Sequence, residues 1–223
     1  MAVVLTFLLV AFLGILVERF IFRRFRQNLQ AILIVSFAVM LILQAGSLVT
    51  FGVTDKAFGS PFSGYLKLGS ISISGERFAA IVCGLVFILA MYFWIYRTRL
   101  GKAMRAVSQD SEAALVQGID IRVVFALAMV IGCALAAVAG SLVGPIFYVN
   151  PYMGVEPIMK AFVVVILGGM GSLIGAIIGG FVIGITESFI ATYVGAHAAV
   201  LAVFLLLIAV LLIKPTGMFG HAE

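Results

Sequence analysis

The side chains whose types and spacing could do chemistry fall into two groups. The first is Glu112-Ala113-Ala114 with Gly118 a turn further on, inside the polar stretch from Arg97 to Arg122. None of these is a nucleophile paired with a base. Their chemistry is mechanical: small residues let a short helix sit close in a groove, and a glycine lets the chain turn back sharply. The second group is Lys160, Glu187 and, between them, Gly168-Gly169-Met170-Gly171-Ser172. Glu187 is the only acid well inside an apolar run, and such a residue reads as functional because its burial is costly. It either serves a pathway or snorkels to an interface. Lys160 pairs with Glu187 or Glu156, or marks the interface itself. Gly168, Gly169, Gly171 and Ser172 form either a packing seam or a flexible break that lines a pathway. The glycines recur at four-residue spacing, at 171, 175 and 179 and again at 180 and 184. The segment is not a phosphate loop, because it lacks the Gly-Lys-Ser/Thr ending and follows no strand.

The elements that must hold these residues are membrane helices. The chain is 64% hydrophobic and 10% charged, against about half apolar and a quarter charged in soluble domains. Its apolar runs are long and continuous, which excludes an outer-membrane barrel. The expected fold is all-α, a polytopic helical domain spanning 1–223 with six or seven membrane segments. The net charge of +5 does not imply nucleic acid. Nine of the fourteen Lys and Arg lie in two stretches, Glu18 to Asn28 and Arg97 to Arg122, which the positive-inside rule places in the cytoplasm. Cys83 and Cys133 sit in separate apolar runs and read as packing residues. No H-E-x-x-H motif and no pair of intramembrane Asp occurs. His197 is expected in a loop and His221 in the tail, so an intramembrane enzyme is disfavoured.

The pattern predicts spans over Ala2 to Val17, Leu29 to Phe51, Phe78 to Tyr96, Val123 to Val143, Leu173 to Ile190 and Ala198 to Ile213. The first is about 24 Å long, short of the ~30 Å core. No basic residues precede it, against a cleaved signal peptide, and the expectation is a chain that starts inside a span. An external loop over 52–77 carries turn chemistry at Gly59-Ser60-Pro61, and the alternation Tyr65 to Ser74 predicts a small hairpin. A second external stretch, Gly144 to Pro157, is broken by prolines, and Asn150 is expected to cap or turn it. Ile158 to Gly168 reads as a short helix before the Gly break. If it crosses, the C-terminus is cytoplasmic; if it is re-entrant, the C-terminus is outside. In the loop 97–122 the expectation is one short helix, with Ser108 as N-cap, Asp110 and Glu112 in the first turn and Gly118 at C′. A capped helix projecting into the cytoplasm points to transport driven by a soluble partner.

Glu112-Ala113-Ala114 with Gly118 resembles the EAA loop of ABC-transporter permeases, which seats in a cleft of the ATPase subunit. The likeness widens in order along the chain: Glu18-Arg19 and the arginines after it, Arg99 and Gly101 to Ala106, Gly118-Ile119, Asn150-Pro151-Tyr152, Lys160-Ala161-Phe162, Gly168 to Ser172, Gly175-Ala176, Gly179-Gly180 and Pro215-Thr216-Gly217. Together these resemble the LivH type of branched-chain amino acid ABC permease. Family members usually carry a further pair of N-terminal helices that this sequence lacks. The resemblance implies a passive permease subunit in a bacterial cytoplasmic (inner) membrane, with Asp110, Glu112, Ala113, Ala114, Leu115 and Gly118 coupling it to the ATPase. Its implied partners are a second permease (a homologue or a second copy), two cytoplasmic P-loop ATPases and an extracytoplasmic substrate-binding protein docking on the external loop, all amid membrane lipid. ATP and Mg would be held by the ATPases, with no cofactor in this chain. Relatives that move urea or short amides keep the substrate open. An ion-coupled secondary transporter is the other class, against which stands the lack of a second Gly-broken span in the first half.

Overall fold

The computed structural model describes residues 2–25, 28–56, 64–68, 71–169, 171–214 and 217–219. Gly59-Ser60-Pro61, Gly69, Met170, Pro215-Thr216 and His221 lie outside the described residues. The chain forms two compact units, Met1–Tyr152 and Met153–Glu223. Among the described residues, six helices are long and apolar enough to cross a membrane.

In the first unit α1 (Ala2–Val17) does not end where the arginines begin. A π-helical turn, Glu18–Phe22, and a short α2 (Arg23–Phe25) carry it on. The candidate span therefore runs Leu5–Phe25. This corrects both the short first span and the expected polar loop from Glu18. Phe20, Ile21, Phe22 and Phe25 interleave with the charges, so the backbone keeps its internal hydrogen bonds, and Glu18 is 7% exposed. Asn28 caps α3 (Leu29–Phe51), its Oδ1 accepting from the Gln30 and Ala31 amides. A hairpin follows, β1 (Tyr65–Leu68) against β2 (Ile71–Ser74), with Tyr65 opposite Ser74. Then come α4 (Gly75–Arg97), α5 (Arg99–Gln109), α6 (Ser111–Val116) and α7 (Ile121–Val143).

The main helix seam of this unit joins α1 and α7. Small residues line it: Ala11 and Gly14 are buried on α1, and Ala134 and Ala137 on α7. A Cβ on Gly14 would lie 2.7 Å from Cys133 Sγ, so the thiol fills the notch the glycine leaves. Helices in lipid associate through such close packing. Gly14→Ala should destabilise the purified protein by about 1–3 kcal/mol through overpacking. Adding Cys133→Ala should recover most of that loss, read as a thermal shift in detergent.

In the second unit α8 (Val155–Gly168), α9 (Leu173–Tyr193) and α10 (Ala196–Ile213) pack around Val163, Leu167, Ile183 and Val203. Helix α8 starts before Pro157 instead of after it. The proline occupies the first turn, where its missing N–H costs nothing. At 14 residues α8 spans about 21 Å, too short to cross a ~30 Å core alone. His197 lies in the first turn of α10, not in a loop.

Candidate functional site

The polar elbow between α4 and α7 is built from caps. Thr98 ends α4, its hydroxyl donating to Trp94 O at 2.7 Å, and starts α5 by accepting from Gly101 N at 3.0 Å. Gly101 is buried, and a Cβ there would overlap the Ile95 backbone, so α4 and α5 meet at a corner that only glycine fits. Arg105 packs its guanidinium 4.5 Å from the centre of the Tyr96 ring, a cation–π contact across the same corner.

The elbow holds two helices where one was expected. Helix α5 runs to Gln109, so Ser108 lies inside it and donates back to Arg105 O at 2.9 Å. Asp110 is the N-cap of α6 instead, accepting from Glu112 N at 2.9 Å and Ala113 N at 3.0 Å. Glu112 then sits in the first turn, where the helix dipole favours an acid. Gly118, at φ +81°, closes the other end. Its amide donates to Leu115 O and the Ile119 amide to Ala114 O, at 3.0 and 3.1 Å, the pair of bonds that defines a Schellman motif. Ala114 is buried, while Leu115 and Val116 are 60% and 87% exposed. Asp120 then caps α7 through Arg122 N at 2.8 Å. Every helix junction in the elbow is thus satisfied locally, and its apolar tip is exposed. Val116 was missed in the sequence because an apolar residue beside Leu115 is ordinary there.

Lys160 and Glu187 come together, as one of the expected pairings had it. Lys160 Nζ lies 2.5 Å from Glu187 Oε1 and 2.7 Å from Glu156 Oε1. Lys160 is in the second turn of α8, one turn beyond Glu156, and Glu187 reaches it from α9. Both inner side chains are about 27% exposed.

The glycine break lies at the far end of the same helix pair. Gly169, at φ +93°, ends α8, and Gly171 is at φ +85°. Ser172 caps α9, its Oγ accepting from Gly175 N at 3.0 Å. Gly168 and Gly175 touch backbone to backbone, so a Cβ on either would overlap the other's carbonyl. Three residues after α10 complete the site, and their role was not legible in sequence. Met218 N donates to Leu167 O at 2.8 Å and Phe219 N to Gly168 O at 3.2 Å, pairing the last carbonyls of α8. Gly217, at φ +81°, passes where a side chain would strike Ile166 O and Gly169. Lys214 Nζ donates to Met218 O at 2.7 Å. The only hint in sequence was Gly217 itself, just after the last span.

In the first unit, the loops on either side of the hairpin and α7 are tied together. Lys56 and Val149 exchange backbone hydrogen bonds at 3.0 Å. Asn150 Nδ2 donates to Asp55 Oδ1 at 2.9 Å, while its Oδ1 accepts from Tyr152 N at 2.9 Å. Asn150 therefore does turn the chain, and it also clasps a second loop.

A family model described as the permease component of branched-chain amino acid transport systems matches residues 1–213. The chain belongs to this permease family. It is 37% identical over 214 residues to the high-affinity branched-chain amino acid transport permease LivH of Escherichia coli, covering 93% of this chain and 70% of that protein. It is 35% identical over 217 residues to the permease BraD of Pseudomonas aeruginosa, covering 94% and 71%. A probable LivH of Methanocaldococcus jannaschii is 30% identical over 163 residues, covering 70% of this chain and 51% of the relative. No solved structure matches this permease. Family membership makes it a multi-pass membrane protein and a transport component, in agreement with the six long apolar helices among the described residues.

Proposed function

We propose that this permease is one membrane subunit of an ABC importer for branched-chain or related amino acids in a bacterial inner membrane. The observation that carries the reading is the elbow. A helix capped at both ends, with Leu115 and Val116 facing water, has no use for its apolar tip until something covers it. The covering surface is a cleft in a cytoplasmic P-loop ATPase, which supplies ATP and Mg; this chain hydrolyses nothing. Two such ATPases serve this permease and a second one, homologous or identical, across the pathway, with lipid around them.

ATP binding closes the ATPases, and the elbows turn that motion into rocking of the helices. The Gly168-to-Ser172 break and the Lys160–Glu187 pair line the pathway. An extracytoplasmic binding protein delivers the ligand to the clasped external loops around Asp55 and Asn150. Residues 1–223 act as one permease domain. Helix α8 counts as a crossing, its shortness offset by the break that follows it. The C-terminus is then cytoplasmic, beside Lys214.

The test is to purify the chain from its native membrane in mild detergent and identify what accompanies it. A P-loop ATPase and a second permease are expected, and recovery with ion-coupled transport activity but no ATPase would overturn the reading. Urea or a short amide in the accompanying binding protein would keep the mechanism and change the cargo.

A further inference from the structure

Lys160 holds two carboxylates at once. Glu156 is on its own helix and 66% exposed, and Glu187 comes from α9 at 27% exposed. The two carboxylates differ in kind. Glu156 is an i,i+4 neighbour on the outer turn and costs little to maintain. Glu187 sits within an apolar helix with Ile183 buried one turn away, where an ion is retained only for a reason. A single cross-helix pair would suffice to neutralise Glu187. The second acceptor makes Lys160 able to stay paired when Glu187 is taken by another cation, since an ammonium has three donors.

The surroundings of the pair have room for more than the two ions. Gly184 lies one turn before Glu187 on α9, and nothing beyond its own stretch of helix comes within 4 Å of where its Cβ would be. A Cβ on Gly180, one further turn away, would touch only Val164, at 3.9 Å. The α9 face beside the ions is thus exposed at Gly184 and bare of side chains at both glycines.

We propose that the Lys160–Glu187 pair receives the charged head of an α-amino acid zwitterion, and so selects amino acids over neutral amides or urea. This rests on the importer reading above. The incoming ammonium takes Glu187 and the carboxylate takes Lys160, while Glu156 keeps its hold on the lysine. The group's net charge of −1 is the same before and after, so opening the pair leaves no ion without a counter-ion. A branched aliphatic side chain lies along the glycine-lined face. A urea or amide brings no charge to replace the one it displaces, so entering the pair would leave Glu187 within its apolar helix without a counter-ion.

The deciding variant is Lys160→Met with Glu187→Gln in the complex reconstituted with its ATPases, partner permease and binding protein. The pair is half-buried, and removing both members together spares folding the unpaired ion that removing one would leave. The double variant is therefore expected to assemble and yet lose at least about thirtyfold in leucine uptake, the worth of one or two charge-assisted hydrogen bonds. Uptake within about threefold of the unmodified complex would make the pair structural and overturn the proposal. If the double variant fails to assemble, Glu187→Asp decides. It keeps both charges and shortens the reach by one methylene; a loss of about tenfold is expected, and unchanged uptake overturns the proposal. An unmodified complex that imports no amino acid at all would sink the importer reading and this inference together, whereas a competent double variant sinks only the inference.

Discussion

Replacing Leu115 and Val116 together by Asp should strip the ATPase from the complex and abolish uptake while leaving the chain in the membrane. The two side chains are the most exposed apolar groups of α6. Burying each in a partner cleft is worth about 1.5–3 kcal/mol. Two aspartates in their place would lose that and add desolvation, so association should weaken by on the order of a hundred- to ten-thousandfold. Capture on a tagged ATPase in mild detergent reads the effect. Insertion should be unaffected because α6 is only six residues long and crosses nothing. Glu112→Lys with Gly118→Asp attacks the same contact through geometry. The lysine opposes the helix dipole at the end that Asp110 caps. The aspartate must hold φ near +81°, at about 1 kcal/mol or more. ATPase retained by both variants would remove α6 from the coupling role.

The second large effect is at the glycine break. Gly175→Val should unfold the second unit, costing more than about 4 kcal/mol, because the new Cβ would fall on the Gly168 carbonyl. That neighbour is backbone inside a helix terminus and cannot swing aside. Gly168→Val should do the same. Loss of a monodisperse peak and of cooperative thermal unfolding in detergent would record it. Gly184→Ala is the contrast: nothing beyond its own stretch of helix stands within 4 Å of its Cβ, and alanine is the better helix residue by about 1 kcal/mol. Its melting temperature should hold or rise. Equal behaviour of the two positions would refute the view that the break is a backbone contact.

That contrast shows where sequence reading ends. The four-residue spacing of glycines marks a face, since helical periodicity is a local property. It sets Gly175 and Gly184, nine residues apart, on opposite faces of α9, but only the path of α8 decides which of the two faces bears the backbone contact and which opens on space. The spans and the hairpin were legible for the same local reason: hydrophobic runs, alternation and turn residues act within a few residues of themselves. The composition and the ordered motifs likewise located the elbow and the family.

The failures were also local, at places where two rules competed. The arginines after Val17 read as a loop, but their interleaved apolar residues let the helix continue through a π-turn. Ser108 was expected as the cap with Asp110 in the first turn, but α5 runs through Gln109, which puts Ser108 inside a helix and leaves Asp110 as the cap. The Lys160–Glu187 pair was one of several open pairings, because 27 residues of sequence separate partners that one hydrogen bond joins. The strap from Gly217 to Phe219 left no mark in the sequence beyond Gly217 itself. The sequence by itself determined which segments are helical and which residues carry charge into them. The tertiary structure alone decided which carbonyls were left without helical partners at the end of α8, and so what Gly217 to Phe219 are for: a helix terminus must satisfy its backbone with whatever the fold brings near.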